Sequence, residues 1–155
     1  MPNYELLKEL TQAWGVSGRE KEVRKIIQRE IEGYADESYV DNIGNLICLK
    51  RGTGGGKRIM LAAHMDEIGL QVKKIEEDGR IRVCSVGWVW TAALYNDQVR
   101  FQNGVVGVVG CNGNIEEAKN DSGKLYIDIG CTSKADTEKY VKIGDYASQI
   151  GTKPP

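Results

Sequence analysis

The sequence predicts an α/β chain in two parts: a layered α/β segment over residues 1–67, then a β-rich segment from about residue 68. Three observations carry this. Two stretches near the N-terminus repeat apolar residues at helical spacing. A continuously apolar run, RIMLAAH, residues 58–64, leads into the single histidine of the chain. Beyond residue 68 the apolar period shortens from helical to alternating, and turn signals separate short apolar runs.

In the first part, YELLKELTQAW, residues 4–14, places Leu6, Leu7, Leu10 and Trp14 on one helical face, and Gly15 is a natural stop. Ser17 followed by Glu20 has the spacing of a capping box, in which hydroxyl and carboxylate each satisfy an orphan amide. Val23, Ile26, Ile27, Ile31 and Tyr34 then predict a second helix over about 18–34. ESYVD and NLICLK read as two strands joined by Asn42-Ile43-Gly44-Asn45. RGTGGGK, residues 51–57, reads as a flexible loop. A phosphate cradle needs Gly-Lys-Ser/Thr opening a helix, whereas Lys57 is followed by Arg58 and an apolar run. RIMLAAH reads as a strand buried on both faces of a sheet covered by helices. Ligands of such sheets gather at the carboxyl ends of strands, where His64 falls.

In the second part, LQVKKI and RIRVCSV flank the turn Glu76-Glu77-Asp78-Gly79, and QVRFQ and VVGVVG flank Asn103-Gly104, a strong hairpin signal. KLYIDIG reads as a strand. SKADTEKY reads as a short helix with Ser133 and Asp136 as a second capping box, and DYASQI as a last strand.

Composition bounds the function classes. A chain of 155 residues, 41% hydrophobic, can bury one domain core or two small ones. Its 19 glycines suit many tight turns. With 21 basic and 22 acidic residues there is no charge bias toward nucleic acid or a membrane surface. No apolar stretch approaches the roughly 20 residues that span a bilayer. MPNYELLKEL lacks the apolar core of a signal peptide, so a cytoplasmic location is expected. Cys48, Cys84, Cys111 and Cys131 form no C-x-x-C pair, which argues against a cysteine zinc site; they read as buried, reduced packing residues.

His64 and Asp66 stand two apart, so in an extended segment both side chains face one side. A neutral imidazole binds a divalent metal, and a neighbouring carboxylate fixes its tautomer. His-x-Asp is thus half of a metal site; the plainer alternative is a core or surface histidine. The octapeptide AAHMDEIG resembles the metal-binding segment of the dinuclear metallo-aminopeptidases of the glutamyl aminopeptidase type. This family includes the tetrahedral peptidases and proteins often labelled cellulase M or endoglucanase. VSGREKEVR resembles its first capped helix, VDNIGNLI its following hairpin, and GKLYIDIGCTSKADTEKYVKIGD the end of its inserted β domain.

The resemblance implies an incomplete layered α/β peptidase domain over 1–67 and an inserted all-β, barrel-like domain over 68–150 that helps build a homo-oligomer. Residues 151–155 would start the return to the catalytic domain. It implies His64 as ligand to one of two divalent metal ions, zinc or cobalt, and Asp66 as the group that orients it; Glu67 shares the motif without a role. The family's bridging aspartate, glutamate base, further acids and second histidine follow the β insert, and Asp121 and Asp128 lie in segments resembling the insert. The expectation is a fragment of a peptide-hydrolysing aminopeptidase, inactive alone and holding metal weakly or not at all. Two rivals are a non-catalytic β-domain protein for binding or assembly and a glycoside hydrolase, whose chemistry needs two carboxylates at set separations.

Overall fold

The computed structural model describes residues 3–118 and 121–150. The chain divides into two compact units, Met1–Asp66 and Glu67–Pro155. The expected return segment 151–155, with its Lys153-Pro154-Pro155, lies outside the described residues.

In the first unit, α1 spans Tyr4–Gln12, and the Asn3 carboxamide caps it by accepting from the Leu6 amide at 3.1 Å. Trp14 lies past the helix end, yet it is buried with Val16 and Val23. The second helix, α2, spans Lys21–Ile31 rather than 18–34. The cause is local. Gly18 takes a left-handed φ of +81°, and the Glu20 carboxylate turns back to accept from the Gly18 amide. The Ser17 hydroxyl is engaged with Asp66, so the expected capping box does not form. The strands β1 (Glu37–Val40) and β2 (Leu46–Leu49) pair antiparallel, Glu37 opposite Leu49.

The largest departure concerns residues 58–64. They carry no regular secondary structure, and Ile59, Met60 and Leu61 are 83%, 88% and 92% exposed. The reason is the absence of neighbours. A strand buried on both faces needs ladder partners along its edges, and among the described residues no strand pairs with this run. The buried central strand predicted from RIMLAAH is therefore not formed here.

The second unit is a closed antiparallel barrel of six strands: β3 (Gly69–Ile75), β4 (Ile81–Val86), β5 (Gln98–Phe101), β6 (Val106–Cys111), β7 (Leu125–Asp128) and β8 (Tyr146–Gln149). Their spatial order is β3-β4-β7-β6-β5-β8, and β3 pairs with β8 to close the ring. Alternation along each strand fills the interior. Val99 and Phe101 point in from β5, Val109 from β6, and Leu125 and Ile127 from β7. In β3 the alternation breaks. Leu70 and Val72 are buried, then the register slips between Val72 and Lys74, and Ile75 is the next residue inside. A bulge that inserts one residue has this effect. Gly110 faces Tyr126 across the β6–β7 ladder, and a Cβ there would meet the tyrosine ring at 2.3 Å. The ring thus covers the glycine, and the Arg80 guanidinium sits over the ring at 4.7 Å from its centroid.

Three short elements were not expected: α3 (Thr91–Leu94), α4 (Ile115–Ala118) and a 3-10 turn at Ser122–Lys124. The last is capped by the Asp121 carboxylate, which accepts from the Gly123 amide at 2.9 Å. The predicted helix over SKADTEKY forms as α5, Lys134–Thr137. Ser133 Oγ caps it by accepting from the Asp136 amide at 3.3 Å. The Asp136 carboxylate instead pairs with Lys139 at 2.7 Å, so only half of that capping box exists. The cysteines are free but not buried. Cys48 is exposed on the uncovered two-stranded sheet, and Cys84, Cys111 and Cys131 are partly exposed. Cys84 shows why: Ile81 and Val83 take the inward positions of β4, which leaves Cys84 on the outward parity. No helix among the described residues is long and apolar enough to cross a membrane.

Two predictions follow from this packing. Gly79, at φ +88°, closes the β3–β4 hairpin, and a Cβ there would lie 2.5 Å from the Cys131 carbonyl oxygen. Its own carbonyl accepts from the buried Thr137 hydroxyl at 2.8 Å. Gly79→Ala combines left-handed strain with a backbone clash and is expected to cost about 2–4 kcal/mol in urea unfolding. Gly130→Ala, at φ +85° with open space around it, is expected to cost about 1 kcal/mol. Equal losses would show that the clash is relieved.

The second prediction concerns the β1–β2 turn. The Asp41 carboxylate accepts from Asn45 Nδ2 at 2.9 Å and from the amides of Asn45 and Ile43 at 2.9 and 3.1 Å. These bonds, led by the Asn45 side chain, hold its pKa below the ordinary 3.8. A folded value below the unfolded one gives stability that is present above about pH 4 and is lost as pH falls through the folded value. Asp41→Asn is expected to remove that part of the acid dependence; a carboxyl carbon titration reading at or above the ordinary value would contradict it.

Candidate metal centre

The loop between the two helices and the His-Met-Asp segment come together in the first unit. Buried Trp14, Val16 and Val23 anchor the loop. A Cβ on Gly15 would press on Val23 at 2.6 Å and reach the Met65 carbonyl oxygen at 3.7 Å. Glycine here lets the loop lie close against Val23 of α2, and Ser17, two residues on, donates a hydrogen bond to Asp66 Oδ2.

His64 is highly exposed, its side chain at 85%. Its Nδ1 lies 2.9 Å from Asp66 Oδ1 and 3.0 Å from the Asp66 backbone oxygen. Both neighbours are acceptors, so Nδ1 must carry the proton. In the neutral ring this leaves the Nε2 lone pair for a ligand. The Asp66 carboxyl is held below the usual carboxylate range, first by the Ser17 hydroxyl and then by His64, against an opposing push from partial burial. Asp66 therefore stays an anion and an acceptor toward both.

This arrangement fits one arm of a metal centre. A carboxylate that fixes the tautomer of an imidazole and aims its other nitrogen outward is a recurrent feature of zinc ligands. It is one donor, whereas a catalytic zinc site takes about three protein ligands and an open position. Among the described residues no group of three or more His, Cys, Asp or Glu side chains converges to hold an ion. Asp128 accepts from the Gly130 amide at 2.8 Å and Asp121 caps the 3-10 turn, so both serve local backbone.

Sequence reasoning placed His64 and Asp66 by their spacing and missed the Ser17–Asp66 contact. The partners are 49 residues apart, and the local Ser-x-x-Glu pattern pointed Ser17 at a helix end instead.

A family model described as M42 glutamyl aminopeptidase matches residues 44–152, and a second, described as AMPT, matches residues 2–27. A provisionally named aminopeptidase of Acetivibrio thermocellus is 46% identical over 149 residues, 96% of this chain and 44% of the relative. A solved structure described as an endoglucanase from Thermotoga maritima superposes with a TM-score of 0.81 at 42% identity, covering 93% of this chain and 44% of that one. The TET1 peptidase of Pyrococcus horikoshii, described as assembling into a tetrahedron or a large octahedral shell, gives 0.78 at 37% identity, covering 94% and 46%. The chain thus spans less than half the length of these relatives. The match runs over most of this chain and takes in the barrel as well as the His-Met-Asp segment, and the chain belongs to the M42 glutamyl aminopeptidase family.

Proposed function

We propose that this chain supplies one part of a metal-dependent aminopeptidase centre, with His64 as a metal ligand and Asp66 as the group that orients it. The observation that carries the reading is the 2.9 Å contact between His64 Nδ1 and Asp66 Oδ1, which presents Nε2 outward. The substrate is a peptide, cleaved at its N-terminal residue. In this reading residues 1–67 belong to the catalytic domain and 68–150 form the inserted β domain. A pair of divalent ions, zinc or cobalt, would supply Lewis acidity and an activated water when bound. This chain contributes the imidazole and fixes its protonation; the bridging carboxylate and the general base come from elsewhere in the complete enzyme. Glycoside hydrolysis gains nothing from a carboxylate-oriented imidazole, because it relies on two carboxylates flanking a sugar bond.

A chain offering one imidazole and, among the described residues, no converging ligand set is expected not to hydrolyse aminoacyl p-nitroanilides, with or without added zinc or cobalt. It should bind zinc weakly, and His64→Ala should abolish that binding in a titration followed by calorimetry. Turnover lost on His64→Ala, or stoichiometric zinc that survives a chelator, would show that the ligand set is complete. Zinc binding unchanged in His64→Ala would remove His64 from the site.

The assembly named for the Pyrococcus relative, together with exposed apolar residues such as Met60 and Leu61 in one unit and Trp88, 92% exposed, in the other, supports homo-oligomerisation. Contiguous exposed apolar surface drives association. Sedimentation is expected to show a dimer or larger species; a single monomer boundary at all concentrations would count against it.

A further inference from the structure

We propose that Ser17 is a positioning residue for the metal ligand: its hydroxyl clamps Asp66 so that His64 presents Nε2 in one orientation. The inference rests on the reading of His64 as a ligand and adds a residue that the family match leaves without a role.

The geometry carries it. Asp66 uses its two carboxylate oxygens separately, Oδ1 toward His64 Nδ1 and Oδ2 toward the Ser17 hydroxyl. The terminal torsion of an aspartate is broad, so a carboxylate held at one oxygen can swing. Held at both, it is fixed, and with it the imidazole that donates to it. His64 has no packing of its own to do this, because its side chain is 85% exposed. The clamp is in turn tied to the core. Ser17 follows Val16, which is fully buried, and the Arg19 amide closes a turn onto the Val16 carbonyl at 2.7 Å. The exposed ligand therefore takes its orientation from a buried anchor through two side-chain hydrogen bonds. This also explains why the Ser-x-x-Glu pattern does not cap α2: the hydroxyl is committed to Asp66.

The test uses the full chain. It contains one histidine, so two-bond proton–nitrogen correlation spectra report His64 alone. At a pH of about 8.5 wild type should show the Nδ1–H form. Ser17→Ala should shift the ring toward Nε2–H, and Ser17→Thr, which keeps the hydroxyl, should restore it. Zinc affinity, titrated with the metal alone, should fall about tenfold in Ser17→Ala, the lower end of the effect of removing a ligand's hydrogen-bond partner. Gly18→Ala is the structural control. At φ +81° it strains the same turn without touching the hydroxyl, and it should leave the tautomer unchanged. If Ser17→Ala fails to fold, Ser17→Cys, a weaker donor of similar size, should give an intermediate tautomer shift.

An unchanged tautomer in folded Ser17→Ala or Ser17→Cys overturns the proposal. So does a shift of equal size in Gly18→Ala, which would make the effect one of loop integrity. A tautomer shift in Ser17→Ala with no loss of zinc affinity keeps the clamp and defeats the ligand reading of His64, so the two failures are distinguishable.

Discussion

Closure of the six-stranded sheet, where β3 meets β8, is the constraint on which the second unit depends. An open sheet of short strands would leave two edges of unpaired backbone groups, and strands of four to seven residues bury too little to hold a core alone. Joining the edges satisfies the ladder and forces alternate side chains inward, where Leu70, Phe101, Val109 and Ile127 form one cluster. The connections then serve closure rather than length. Gly79 lets the β3–β4 hairpin lie against the chain at Cys131, and Asn103 ties the β5–β6 turn to the Tyr140 carbonyl at 2.7 Å.

The barrel strands were legible in the sequence because each of these hairpins is written locally. Asn103-Gly104 and Glu76-Glu77-Asp78-Gly79 specify turns, and Val and Ile alternate on either side of them. The closing pair was not legible. Leu70 meets Ala147 across 77 residues of chain, and no local pattern encodes that register. The same holds at the site. His64 and Asp66 are two apart and could be read together, whereas the Ser17–Asp66 bond depends on how a distant loop folds back.

RIMLAAH shows the opposite failure, a strong local signal without its structural context. Hydrophobicity says what a segment would do beside partners; it does not supply them. With no ladder neighbour among the described residues, Ile59, Met60 and Leu61 stay in solvent, and the histidine that follows is aimed by a carboxylate and a hydroxyl rather than by a sheet. Among the described residues the contacts that His64 makes run to Asp66 and through it to Ser17.

The slip in β3 between Val72 and Lys74 has an evolutionary consequence. Elsewhere in the barrel, losing one residue from a strand inverts its inner and outer faces. In β3 the bulge absorbs one extra residue, so Ile75 stays inside although it lies three residues after Val72. Dropping Lys73 would remove the bulge and leave Val72, Lys74 and Ile75 in ordinary alternation, with Ile75 still inside and opposite Ile81. Loss of the bulge residue is therefore the one length change in this strand that keeps its faces, while the loop at 51–57, which carries no ladder, can vary in length without shifting any register.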